Sequence, residues 1–468
     1  MKHIIVWLLL ICSSLSLGES PDLFLPAESR LTLIPQELPA MVVRRRSITM
    51  NMGLLEAAKE ASVPVTLNLF EDIKLESLIE EIINRDSEDY SLIGATEQNG
   101  NFIITVNEDV VLGNIRVGDE KHYQIYYNKD KSYEVREIDD SVYPLCGNEF
   151  YEEWNEIGEI PMASPAIDAN IPEDDGSVFD VMVVYTPKSV KEVGGIDAMI
   201  AHINLSIDES NIIYANSGIN SRVRLVHHHQ VDYFSWQGFN VTLNHLKKKT
   251  EGYMDEVHEL RDKYGADLVI LFINDQKYCG LGYLMKRLDH SFEDRAFSVV
   301  WWYCATGYYS FIHELGHNMG CHHATPEIYQ GAGLYPYSMG YRFGSAPNRT
   351  VMAYAPGSRI MHFSNPNIFY SGERTGVLVG DSNEANNALN INNVAKVVAN
   401  WRNSYLIPSD GDVNRDGQID SNDFVLFVNE YGKENCVYPT WCDNTDLNKN
   451  GVVEIGDASI MGKNWLDN

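Results

Sequence analysis

Four histidines and a glutamate fall within one short run of this 468-residue chain, His313-Glu314-Leu315-Gly316-His317-Asn318-Met319-Gly320-Cys321-His322-His323. If 309–319 is helical, His313 and His317 stand one turn apart on one face, the spacing at which two imidazoles reach one cation. Gly320 can take the left-handed conformation that ends a helix. The returning chain can then offer His323 as a third nitrogen ligand. His322 competes for that place, but the Gly-x-x-His offset favours His323. Three nitrogens around a tetrahedral Zn²⁺, at about 2.0–2.1 Å each, leave one corner for water, the arrangement of a catalytic rather than a structural zinc. Zinc lowers the pKa of such a water to about 7. Glu314, beside His313 and not needed as a ligand, can take the water's proton and later hand it to a leaving amine. That is amide hydrolysis without a covalent enzyme intermediate.

The tail offers a second metal chemistry. Asp412, Asn414, Asp416, Asp420 and Asp423 place side-chain oxygens at positions 1, 3, 5, 9 and 12 of a loop with Gly417 at position 6. Gln418 at position 7 would lend its backbone carbonyl. This is the ligand spacing of an EF-hand calcium loop. A second copy runs through Asp446, Asn448, Asn450, Val452, Glu454 and Asp457, and helix-like stretches, 424–431 and 458–465, follow the two loops.

Both sites need a scaffold, and the composition provides for one. The chain is 44% hydrophobic, which is enough for real cores. With 36 Lys+Arg against 66 Asp+Glu the net charge is -30. That excludes a general nucleic-acid binder, whose affinity comes from basic residues on phosphate. The acid concentrates before residue 176 and after residue 408, and the stretch between is nearly neutral. Such a shift in composition marks boundaries. The apolar run 4–17 after Lys2 is too short to span a bilayer and has the shape of a secretory signal cleaved near Gly18. No membrane span is expected. The first segment mixes short alternating runs (101–106, 123–127) with a helix-like stretch at 75–84. It ends in an exposed Pro-rich linker across 160–178, suited to proteolytic cutting. The neutral middle alternates strands (179–185, 222–226, 266–273, 297–303) with helices (198–215, 241–264, 386–401), an α/β layer pattern.

Beyond the short motif, the extended histidine run resembles the metzincin metalloproteases, and Thr350-Val351-Met352-Ala353-Tyr354 looks like their Met-turn. By that resemblance Met352 floors the zinc site, and Tyr354 supports the oxyanion or the substrate. Further stretches look like the secreted bacterial reprolysin-like branch: Asp180 with 183–187, Cys279-Gly280-Leu281-Gly282, 305–307, 337–342 and 363–366. The resemblance covers about 178–405 and implies a Cys279–Cys304 disulfide. Ala324 departs from the Asp that reprolysins carry after the third histidine. The tail, about 410–466, resembles type I dockerins, which bind cohesin modules on scaffold proteins. Cys436 and Cys442 between its loops are close enough to bridge. Cys146 matches loosely the latency thiols with which several metzincins occupy the zinc's fourth position.

The expected organisation is a signal peptide at 1–18, a β-rich propeptide at 19–175, a metzincin α/β (α+β) catalytic domain with a mixed twisted sheet at 176–408, and a small all-α calcium-binding dockerin-like domain at 409–468. The expected function is that of a secreted zinc endopeptidase made as a zymogen, with one Zn²⁺ and two Ca²⁺, acting on proteins or peptides and attached to a cohesin-bearing scaffold or surface. The alternative is a non-catalytic assembly or binding protein with a structural metal site. Glu314 argues against that alternative, since a structural site has no use for it.

Overall fold

The computed structural model describes residues 20–27, 39–59, 63–85, 88–97, 100–118, 121–150, 174–344, 348–402, 411, 413, 419, 421–436, 441–448 and 450–465. The expected signal peptide, most of the Pro-rich linker, and Asp412, Asn414, Asp416, Gln418 and Asp420 of the first calcium loop lie outside the described residues.

The N-terminal segment folds into one antiparallel sheet of nine strands in the order β1-β2-β9-β8-β7-β6-β5-β4-β3. The strands are β1 (Phe24–Pro26), β2 (Val42–Met50), β3 (Pro64–Phe70), β4 (Ile73–Asn84), β5 (Asp89–Thr96), β6 (Gly100–Asn107), β7 (Val110–Val117), β8 (Lys121–Tyr127) and β9 (Tyr133–Ile138). A short helix, α1 (Met52–Ala58), lies between β2 and β3. β4 corrects the helix expected at 75–84. Leu75, Leu78, Ile79, Ile82 and Ile83 satisfy helical spacing, but Leu75, Ser77 and Ile79 are buried by alternation between β3 and β5. Ladder pairing on both sides overrides a local preference of that kind. One face of the sheet carries Leu92, Ile104, Val111, Ile115, Ile125 and Val135 in a core of its own.

The middle segment builds a five-stranded sheet in the order β11-β10-β12-β14-β13. β10 (Val178–Tyr185), β11 (Arg222–Gln230), β12 (Leu268–Ile273) and β14 (Phe297–Trp301) are parallel, and β13 (Gly280–Gly282) is an antiparallel edge strand on β14. All six residues of β12 are buried, as befits a central parallel strand covered on both faces. The helices are α2 (Pro187–Val193), α3 (Ile196–Ser217), α4 (Phe239–Lys247), α5 (Glu256–Lys263), α6 (Trp302–Ala305), α7 (Ser310–Asn318) and α8 (Asn387–Val398). The single helix expected at 241–264 is thus two. Lys248 leaves the helical region at ψ 134, and Gly252 N–H donates to the Asp255 carboxylate just ahead of α5. The Cys279–Cys304 disulfide ties the edge strand β13 to α6.

The tail shows α9 (Ser421–Glu430), α10 (Trp441–Asn444) and α11 (Ile455–Trp465) around Val413, Phe427, Val453 and Met461. A Cys436–Cys442 disulfide joins the stretch between its loops. No helix among the described residues is long and apolar enough to cross a membrane.

Candidate active site

α7 carries His313, Glu314 and His317, and every residue of the helix is buried. Gly320, at φ +89, turns the chain beneath it; a Cβ there would stand 2.6 Å from Leu334. The turn brings back His323, whose Nε2 lies 3.1 Å from His317 Nε2 and 3.3 Å from His313 Nε2. His313 and His317 Nε2 are 3.2 Å apart. His322 points elsewhere: its Nδ1 accepts the backbone N–H of His323 at 2.8 Å.

The outer nitrogens fix the protonation pattern. His313 Nδ1 faces Val351 O and His317 Nδ1 faces Cys321 O, both at 2.9 Å. A carbonyl only accepts, so each Nδ1 carries the hydrogen and each Nε2 turns a bare lone pair inward. Burial holds all three imidazoles well below their usual pKa, so they are neutral. Bare lone pairs at this separation repel unless a cation sits among them. The donor set therefore fits a divalent metal, and nitrogen ligands suit zinc.

Glu314 is fully buried beside this cluster, and among the described residues neither carboxylate oxygen has a hydrogen-bond partner of good geometry. Burial pushes its carboxyl up to about 8. It lies directly against β13, where a Cβ on Gly280 would meet Glu314 Oε1 at 2.3 Å and one on Gly282 would meet Oε2 at 3.1 Å. Two glycines on the edge strand are what let the carboxylate lie there. Met352 is buried under α7, its sulfur 2.8 Å from where a Cβ on Gly316 would be. The Tyr354 ring packs 4.1 Å from that of His323.

The N-terminal segment reaches into this site. Cys146 Sγ lies 3.6 Å from His317 Nε2, and the ligand atoms of Cys146, His313, His317 and His323 are all within 4.8 Å of one another. Tyr354 Oη donates to Cys146 O at 3.1 Å, and Cys279 N–H donates to Leu145 O at 3.1 Å. The segment thus crosses the mouth of the site along the β13 edge. Cys321 takes no part in the cluster. It is buried, with Asn390 Nδ2 donating to its sulfur at 3.3 Å.

In the tail, the second loop wraps on itself. Asp446 accepts from the backbone of Asn450 and Gly451 at 3.2 and 2.9 Å, and Asp457 accepts from Asn448 and Glu454 at 2.9 Å each. Asp446 and Asp457 are buried. These bonds fold the loop onto its own backbone, with Asp446 and Asp457 at its two ends. Asp423 of the first loop is also buried, in the first turn of α9.

Sequence reasoning missed Gly280 and Gly282 as the seat of Glu314. The signal is there in Cys279-Gly280-Leu281-Gly282: two glycines flanking one residue in a short strand mark close approach by another part of the chain. It also missed Arg349 and Arg359, buried beside the Met352 loop. No local pattern marks them.

Comparison with known proteins agrees with this chemistry. Residues 175–364 match the family model described as metallo-peptidase family M12, and residues 410–466 match the dockerin type I domain. The chain is 32% identical over 314 residues to the peptidyl-Asp metalloendopeptidase of Stenotrophomonas maltophilia (strain K279a), covering 65% of this chain and 71% of that one. It is 31% identical over 305 residues to the peptidyl-Asp metalloendopeptidase of Xanthomonas campestris pv. campestris, covering 64% and 69%. Among solved structures, a chaperone–substrate complex aligns at TM-score 0.38 and 15% identity, over 62% of this chain and 44% of that one. Metalloproteinase-II from Bacteroides fragilis aligns at TM-score 0.34 and 13% identity, over 61% and 88%. Likenesses this slight carry no further weight.

Proposed function

We propose that this chain, which belongs to the family of the peptidyl-Asp metalloendopeptidases, is an exported zymogen whose N-terminal segment plugs its own active site. It is a zinc metalloendopeptidase with a dockerin tail. The finer reading rests above all on one observation. Three imidazole nitrogens, two of them fixed as bare by carbonyls on the outer Nδ1, meet within 3.1–3.3 Å, with a buried carboxylate beside them and a cysteine sulfur at the remaining corner.

His313, His317 and His323 would hold the zinc, which when bound supplies a Lewis acid that acidifies water and polarises a carbonyl. Glu314 accepts the water's proton and delivers it to the departing amine. Cys146 keeps water from the fourth corner in the precursor. Burial pushes its thiol well above the usual value, and a divalent cation on the sulfur reverses that preference. Tyr354 Oη, engaged with Cys146 O in the precursor, becomes free to donate to a substrate carbonyl. Cutting within 160–178 releases the N-terminal segment. The name of the relatives carries over as a preference for peptide bonds beside aspartate. The tail, with calcium in both loops, docks the enzyme on a cohesin-bearing scaffold outside the cell.

The test is a casein assay on full-length and processed protein, with and without a zinc chelator. The processed form cleaves, the chelator stops it, added zinc restores it, and the precursor is silent. Cys146→Ser makes the uncut precursor active. Cleavage that survives chelation sinks the zinc reading, and a silent Cys146→Ser precursor sinks the latency role.

A further inference from the structure

Two buried arginines stand beside the site with no carboxylate in contact among the described residues. Arg349 is fully buried and Arg359 is 4% exposed. Arg349 donates from Nε to Gly357 O at 2.7 Å and from Nη1 to Ala353 O at 2.8 Å. Arg359 donates from Nη1 to Tyr308 O at 2.7 Å, and its Nη2 reaches Ala353 O at 3.4 Å. Every one of these partners is a neutral carbonyl. Among the described residues Arg349 Nη2 and Arg359 Nε are buried without a hydrogen-bond partner of good geometry, although the Tyr308 side chain lies beside Arg349. Neighbouring arginines are treated differently: Arg342 pairs with Glu327 and Arg116 with Asp140. A buried guanidinium with open donors destabilises a fold unless something else needs it.

Their location says what that is. Both guanidinium groups converge on Ala353 O, between Met352 and Tyr354, and the Tyr354 ring lies against His323. The Tyr308 ring faces both, 4.2 Å from Arg359 and 5.4 Å from Arg349. Tyr143 of the N-terminal segment stacks on Tyr308 at 4.3 Å. So the segment that plugs the histidine cluster also roofs the arginines. It carries Asp140, whose charge is felt at Arg349 while its oxygens are engaged by Arg116 and His122.

We propose that Arg349 and Arg359 form the cationic floor of the subsite that receives the substrate's aspartate carboxylate once the N-terminal segment has left. This rests on the protease reading above and adds the residues that choose the substrate. A planar guanidinium presents parallel N–H donors that match a carboxylate's two oxygens. An asparagine in the same place turns an NH₂ toward donors and leaves charge uncompensated, which is how such a site rejects it.

The experiment uses processed enzyme and two peptides that differ only in Asp or Asn beside the scissile bond. Wild type prefers the Asp peptide by about a hundredfold or more in kcat/KM. Arg359→Gln and Arg349→Gln each collapse the Asp/Asn ratio by at least about tenfold, mainly through the KM of the Asp peptide. Zinc content checks that each variant is folded. If the glutamine variants do not fold, Arg359→Lys and Arg349→Lys, which keep the charge but lose the fork, decide by the same ratio. Equal cleavage of both peptides by wild type, or a full Asp preference in folded variants, overturns the proposal. If wild type cleaves neither these peptides nor casein, it is the protease reading that has failed.

Discussion

On the face of the N-terminal sheet turned away from α3, Leu92, Ile104, Val111 and Ile115 close an apolar core. One residue along the same strands, on the face turned toward α3, stand Ser91, Thr105, Asn114 and Arg116. Alternation in a strand sends neighbours to opposite faces, so one sheet presents two chemistries. The seam with α3 mixes apolar packing, in which Ile103, Val110 and Leu112 join the middle segment's core, with directed polar contacts. Asp208 takes Arg85 Nη1 at 3.1 Å and Ser91 Oγ at 2.6 Å; Asn204 Nδ2 donates to Asp89 at 2.8 Å; Asn114 Nδ2 donates to Glu209 at 2.7 Å. An apolar seam, once opened, leaves a sticky patch on both halves. A mixed one can hand its hydrogen bonds to water but lays bare its apolar residues, here Ile103, Val110 and Leu112. The difference teaches that the sheet closes one face on itself with carbon alone, while the face it turns to α3 combines a shared apolar core with buried hydrogen bonds and ion pairs.

Three substitutions test that contrast. The largest effect is expected from Glu314→Ala, which removes the proton carrier and leaves the seam intact. Casein cleavage by the processed form should fall about 10²- to 10⁴-fold, while bound zinc stays as in wild type. Retained cleavage would remove Glu314 from the chemistry. Next comes Leu92→Ala on the apolar face, which should cost the precursor about 2–5 kcal/mol in denaturant unfolding and leave the processed enzyme untouched. Smallest is Asp208→Asn at the seam, about 1.5–3 kcal/mol in the precursor and close to nothing in the processed enzyme, where water takes Arg85's place. An equal loss in both forms would mean that Asp208 serves the middle segment's own fold rather than the seam.

The active-site helix was legible because its information is local: two histidines four apart, a glycine to end the turn, and a third histidine three beyond it. The parallel core was legible for a similar reason, since 268–273 is apolar without a break. β4 was not, because its apolar residues fit two periods at once and only its neighbours in the sheet choose between them. The break between α4 and α5 turned on one backbone angle at Lys248 and a turn capped by Asp255, which the amphipathic pattern on either side obscured. Cys146 could be suspected from its type, but its approach to His317 spans 171 residues. The arginine pair was invisible in principle. What marks it is the lack of a carboxylate in contact, a property of the folded surroundings and not of any short run of letters.

Gly280 leaves no room for a single added methyl beside Glu314, and Gly282 leaves only a tight fit. Anyone wishing to redesign selectivity along that rim therefore inherits a fixed border: diversity can be introduced at Leu281 or across the gap on the Met352 loop, but Gly280 must stay bare.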